Sequence, residues 1–101
     1  MRSAWVMRLK PGQEAEYKRK HDEIWPEMVE LLKRQGIYNY SIYRYGLLLF
    51  AHLERPDVSP TRESGVDPVM LEWWKWMEPH METRSDSSPI AEPVEEVFRL
   101  D

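Results

Sequence analysis

Residues 47–54, Leu-Leu-Leu-Phe-Ala-His-Leu-Glu, are the stretch that decides the fold. Read as a strand, they send Leu47, Leu49, Ala51 and Leu53 to one face and Leu48 and Phe50 to the other. A half-solvated strand alternates apolar with polar residues, and this one does not. Residues 38–44, Tyr-Asn-Tyr-Ser-Ile-Tyr-Arg, are also strand-like. The short link Tyr45-Gly46 makes the two an antiparallel hairpin. Upstream, residues 4–9 (Ala-Trp-Val-Met-Arg-Leu) repeat the two-faced pattern and stop at the turn signal Lys10-Pro11-Gly12. In them Ala4 and Val6 oppose Trp5, Met7 and Leu9.

Between these strands the period becomes helical. From Gln13 to Gln35, Tyr17, His21, Ile24, Met28, Leu31 and Leu32 share a stripe, and Gly36 offers a stop. Pro26 interrupts, because it lacks an N–H for the carbonyl of Asp22 and drives Trp25 from helical geometry. A kink or break is therefore expected at about 23–26, one turn after His21. Past the hairpin, residues 55–66 carry Pro56, Ser59, Pro60, Ser64 and Gly65 and read as irregular. Asp67-Pro68 reads as a helix cap with a first-turn proline. Met70, Trp73, Trp74, Met77 and Met81 follow at helical spacing until Pro79 interrupts. A polar stretch from Thr83 to Pro93 leads to a last strand at 94–100.

The order βαββαβ predicts an α+β fold: a four-stranded antiparallel sheet with its helices on one face, the ferredoxin-like subunit. Those helices cannot also cover the second apolar face of strands 4–9 and 47–53. A second copy of the chain is the expected cover, giving a homodimer.

Composition narrows the function. At 101 residues the chain is one domain, 1–101. It has no cysteine, hence no disulfide, thiolate metal site or thiol nucleophile. A net charge of −4 argues against nucleic acid as partner. No apolar run approaches the roughly 20 residues of a membrane span, and Arg2 comes too early for a secretory leader. A cytoplasmic protein with no membrane partner is expected. Five Trp and five Tyr stand against two Phe, so most aromatic rings carry a polar handle.

Two clusters could carry chemistry. Tyr17 and His21, at i and i+4, project together, so a phenol and an imidazole can reach one small ligand. Imidazole can both give and take protons near neutral pH. A structural histidine at the end of a kinked helix is the competing explanation. Trp73 and Trp74 diverge by about 100° around a helix. One can therefore sit in the core while the other presents an indole face and N–H to a ligand, and a sugar offers the matching mixture of C–H and hydroxyl surfaces. Strand alternation puts Tyr40 and Tyr43 on opposite faces. The spacing of His21, His52 and His80 suggests no metal site, and phosphate loops, dinucleotide fingerprints and serine elbows are missing. A cofactor-free site is expected. Besides an enzyme, a dimeric sugar-binding module without turnover and another cofactor-free barrel enzyme remain open.

Several stretches, taken in order, carry a resemblance. They are Tyr17-x3-His21-x3-Trp25-Pro26-Glu27, Asn39-Tyr40-x-Ile42-Tyr43, Leu48-Leu49-Phe50, Trp73-Trp74-x2-Met77, Ser88-Pro89 and Glu96-Val97-Phe98-x-Leu100. Together they resemble the L-rhamnose mutarotase family over most of the chain. The resemblance implies a dimeric α+β barrel of ferredoxin-like subunits. It also implies cofactor-free interconversion of the α and β anomers of L-rhamnopyranose, a small monosaccharide. It further implies His21 as proton donor, with Tyr17, Tyr40, Trp73 and Trp74 lining the sugar site.

Overall fold

Three strands carry the sheet, β1 (Arg2–Arg8), β2 (Tyr38–Tyr45) and β3 (Leu48–Glu54), with a two-residue β4 (Glu92–Pro93) at its edge. The helices are α1 (Glu14–Asp22), α2 (Pro26–Arg34) and α3 (Pro68–Met77), and a 3-10 turn follows at Glu78–His80. This computed structural model describes residues 1–56 and 66–101, so the irregular reading of 57–65 lies outside the described residues. Strand order is β2-β3-β1-β4, antiparallel throughout, which is the ferredoxin-like order the sequence predicts.

The expected helix break occurs where proline demands it. Trp25 is extended (φ −64°, ψ 138°), as a residue before proline prefers, and Pro26 opens α2. Helix α1 ends at Asp22, so His21 sits in its last turn. Helix α2 closes on Gly36 at φ 79°, whose N–H bonds to the Lys33 carbonyl while that of Ile37 bonds to Leu32. Asp67 caps α3 by accepting from the Val69 N–H at 2.9 Å, ahead of Pro68.

One face of the sheet makes the core. Met7, Leu9, Leu49 and Ala51 are buried against Tyr17, Met28, Leu31, Trp73, Met77 and Met81. On the other face, Val6, Phe50 and Tyr43 align across three strands, beside Arg8, Leu48 and Tyr45. No described helix covers them, and Tyr43 and Tyr45 are 65% and 79% exposed. Among the described residues, only one of the two apolar faces of β3 is covered.

The structure corrects two boundaries. The hairpin link is Gly46-Leu47, not Tyr45-Gly46, because Tyr45 pairs with Leu48. Gly46 alone takes positive φ (60°), the pattern of a type II′ turn, and Leu47 belongs to the turn rather than to a strand face. The last strand is Glu92–Pro93, not 94–100. Its register pairs Trp5 with Pro93 and Val6 with Glu92. Val94 still donates to the Ala4 carbonyl at 3.1 Å, and Glu96 meets Arg2 at 2.9 Å. Beyond that, β1 has no residues left to pair. Val97, Phe98 and Leu100 overhang its start, each at least 80% exposed. Among the described residues no helix is long and apolar enough to cross a membrane.

Candidate functional site

A cavity of about 700 Å³ opens between α1, α3 and the helix-side face of β2. Tyr17 and His21 enter it from α1, Tyr40, Ile42 and Arg44 from β2, and Met70, Trp73, Trp74 and Met77 from α3. All five residues singled out from the sequence, Tyr17, His21, Tyr40, Trp73 and Trp74, line it together. Tyr43, as strand alternation predicts, is in register with Phe50 on the other face.

Local chain geometry aims these groups. The i, i+4 spacing stacks the Tyr17 and His21 rings, with centroids 4.3 Å apart and planes tilted by 32°. On β2, the register slips by one residue between Tyr38 and Ser41, a bulge carried by Asn39 at φ 50°. The Asn39 side chain anchors it by donating to Glu54 at 2.6 Å. Beside this bulge Tyr40 packs against Trp5 at 5.9 Å. Trp73 stands edge-on to His21 at 5.3 Å and edge-on to Trp25 at 5.1 Å. It is 7% exposed, whereas Trp74 is half-buried.

The electrostatics give each group a defined form. The Nδ1 of His21 lies 3.0 Å from the Tyr17 carbonyl, which can only accept, so that nitrogen carries the proton. Nε2 is left with its lone pair. Burial lowers the imidazole pKa below its ordinary value, only partly opposed by the Tyr17 carbonyl and by Asp22. The ring therefore rests neutral at pH 7. Desolvation pushes the Tyr40 phenol up to about 12, although the residue as a whole is 38% exposed, and burial pushes the Tyr17 phenol further still. Both remain O–H donors at neutral pH. The floor is apolar, formed by Ile24, Met28, Leu32 and Leu49. At the rim, Ser87 (φ 72°) donates to Glu78 at 2.9 Å and ties the loop before β4 to the end of α3.

Such a cavity holds one neutral base, two neutral phenols and aromatic walls. It can bind a small polyhydroxylated molecule and move protons on it. Among the described residues no three His, Asp or Glu come together to hold a metal ion.

Sequence reasoning missed part of the lining. Met28, Met70, Met77 and Met81 were not among the candidate site residues, yet all four line the cavity. Their helical spacing was visible, but nothing in it separates a cavity wall from solid core. Lys20, which carries no sequence signal of its own, is buried at 8% exposure.

Comparison with known proteins gives the family. A family model described as L-rhamnose mutarotase matches residues 2–100. The chain is 46% identical over 99 residues to the L-rhamnose mutarotase of Mesorhizobium japonicum, covering 96% of this chain and 94% of that protein. To that of Bacillus subtilis it is 44% identical over 102 residues, covering 99% and 98%. A crystal structure of an L-rhamnose mutarotase from Formosa agariphila superposes with a TM-score of 0.88 at 35% identity, covering 100% of this chain and 99% of that one.

Proposed function

The chain belongs to the L-rhamnose mutarotase family, and we propose that His21 is the group that exchanges a proton with the sugar. The activity is the interconversion of the α and β anomers of L-rhamnopyranose, an isomerase reaction on a carbohydrate. Opening the ring takes a proton from the anomeric hydroxyl, breaks the bond between C1 and the ring oxygen and delivers a proton to that oxygen. The aldehyde turns about its bond to C2, and closure reverses the transfers on the other face.

A neutral imidazole with its free lone pair at Nε2 enters this cycle as a base. It draws the anomeric proton during opening and returns it during closure, so its work as proton donor falls in the second half. Tyr17 and Tyr40, held as phenols, donate to sugar oxygens, and either supplies the ring-oxygen proton. Trp73 and Trp74 cover the sugar's C–H surface. Acid–base catalysis of this kind contributes about 10²–10⁴-fold. Holding the sugar against the donors in a dry cavity adds orientation.

The observation that carries the assignment is the Tyr17–His21 stack in the cavity, with Nδ1 committed to the Tyr17 carbonyl. Saturation-transfer NMR on L-rhamnose tests it. Wild type should speed anomer exchange and His21→Asn should lose most of that effect while melting like wild type. A folded His21→Asn variant exchanging at the wild-type rate would sink the assignment.

A second copy of the chain completes the proposal. Among the described residues, the open face bearing Val6, Phe50, Tyr43 and Tyr45 and the overhanging Val97, Phe98 and Leu100 are two apolar surfaces without cover. A symmetric pair buries both at once.

A further inference from the structure

We infer that Lys20 is a positioning residue for the reaction, tying the end of α1 to the end of α3 and thereby fixing the imidazole against the tryptophan wall. The inference rests on the reading of the site given above. Lys20 precedes His21 in α1 and is 8% exposed, rare for a lysine. Its Nζ donates to the backbone carbonyl of Trp76 at 2.6 Å and stands 4.3 Å from the centroid of the Trp76 ring. One ammonium thus holds α3 by both backbone and side chain.

The carbonyl needs this donor. Helix α3 gives way at Met77 to a 3-10 turn over Glu78–His80. In such a turn the N–H of residue 79 would reach the carbonyl of residue 76, and residue 79 is proline. A cation placed there also meets the negative end of the α3 dipole. Among the described residues Lys20 makes no ion pair, so pairing with a carboxylate does not explain its burial.

What the tie holds is the catalytic side of α3. The Trp76 ring packs on Trp25 at 5.1 Å and on Trp73 at 5.3 Å, and Trp73 meets His21 edge-on at 5.3 Å. Lys20 therefore reaches His21 twice, directly along α1 and again through Trp76 and Trp73. Without it, α1 and α3 lose the hydrogen bond that sets their separation beside the imidazole. A displacement of about 1 Å at a reacting group can cost on the order of 100-fold in rate.

The test compares Lys20→Met, which keeps the stem and loses the donor, with Lys20→Arg, which keeps donor and stack. Melting temperature is measured first. Then kcat and KM for L-rhamnose anomer exchange are measured by NMR, well below each variant's melting point. We expect kcat of Lys20→Met to fall about tenfold or more with a smaller change in KM, and Lys20→Arg to stay within about threefold of wild type. A lysine of merely structural value would lower the melting point and leave kcat intact. Wild-type kcat in folded Lys20→Met overturns the inference, as does Lys20→Arg no faster than Lys20→Met. If Lys20→Met does not fold, Lys20→Gln, too short to reach the carbonyl, takes its place. Failure of wild type to exchange L-rhamnose overturns the reaction instead. Near-UV circular dichroism of the indoles then judges the tie alone, and a signal unchanged by the substitution refutes it.

Discussion

Replacing Trp73 and Trp74 in turn by alanine separates the core from the sugar wall. Trp73 is 7% exposed and stands within 5.1–5.3 Å, ring centre to ring centre, of His21, Trp25 and Trp76. Truncating a buried tryptophan costs about 3–5 kcal/mol. Three aromatic partners, each worth roughly 0.5–1.5 kcal/mol beyond burial, place this one in the upper half of that range. In a domain of this size each kcal/mol moves the melting midpoint by about 4–8 °C, so a drop of about 16–40 °C is expected. That approaches the whole stability of a small domain, about 5–15 kcal/mol, so Trp73→Phe is measured alongside as the milder change. Trp74 is half-buried and faces the cavity. Its loss should cost less stability but remove a flat contact of roughly 0.5–1.5 kcal/mol with the sugar, raising KM about two- to tenfold. Circular dichroism melts and NMR exchange at several rhamnose concentrations read both quantities. Equal melting points for the two alanine variants, or wild-type KM in Trp74→Ala, would refute the division of labour.

Three further outcomes follow from the geometry. After subtraction of the uncatalysed rate, exchange should fall as pH drops through the lowered pKa of His21, below about 6.5, and stay level just above it. An enzyme that speeds up through that window would mean the imidazolium starts the reaction. Stability should fall in the same direction. His21 and His80 have folded-state pKa values below their unfolded ones, chiefly through burial, so the unfolded chain binds more protons. Stability is then complete above about pH 6.5 and lost as pH falls toward the folded values. His80 donates to Gln13 at 2.7 Å and, among the described residues, buries Nε2 without a partner, so His80→Gln should flatten the loss in melts between neutral and mildly acid pH. Light scattering at micromolar concentration should give twice the 12.2 kDa chain mass, and Phe50→Glu on the open face should shift it toward monomer. A wild-type protein of chain mass would refute the paired sheet.

Much of this was legible because the signals are local. Pro26 ends one helix and opens another whatever surrounds it, and Asp67-Pro68 caps α3 by its own chemistry. The i, i+4 spacing of Tyr17 and His21 guarantees a shared direction once α1 forms. What stayed hidden depends on distant partners. Asn39 takes φ 50° because β2 carries one more residue than β3 across from it, and no property of Asn39 alone requires a bulge there. Lys20 looks like Lys18 in sequence. Lys18 pairs with Asp22 at the surface, whereas Lys20 meets a carbonyl left without a donor by a proline 59 residues later.

The segment 94–100 joins these two kinds of information. Its apolar pattern reads as a strand, yet the last strand of the sheet is Glu92–Pro93. Trp5 opposite Pro93 fixes the register, and in that register Val97 falls opposite Met1. Phe98 and Leu100 lie beyond β1, which starts at Arg2. A sequence pattern states that a segment can pair, but the length of the neighbouring strand decides whether it does so within the chain. Cutting the chain after Glu96 separates the two possibilities. Val97, Phe98 and Leu100 are at least 80% exposed in the single chain, so their removal costs it almost no buried apolar area. If they work only between copies, the truncated protein should melt at a concentration-dependent temperature, below the full chain, with its mass shifted toward monomer. If mass, melting point and anomer exchange all match the full chain, the overhang has no partner and the strand signal is spent on nothing.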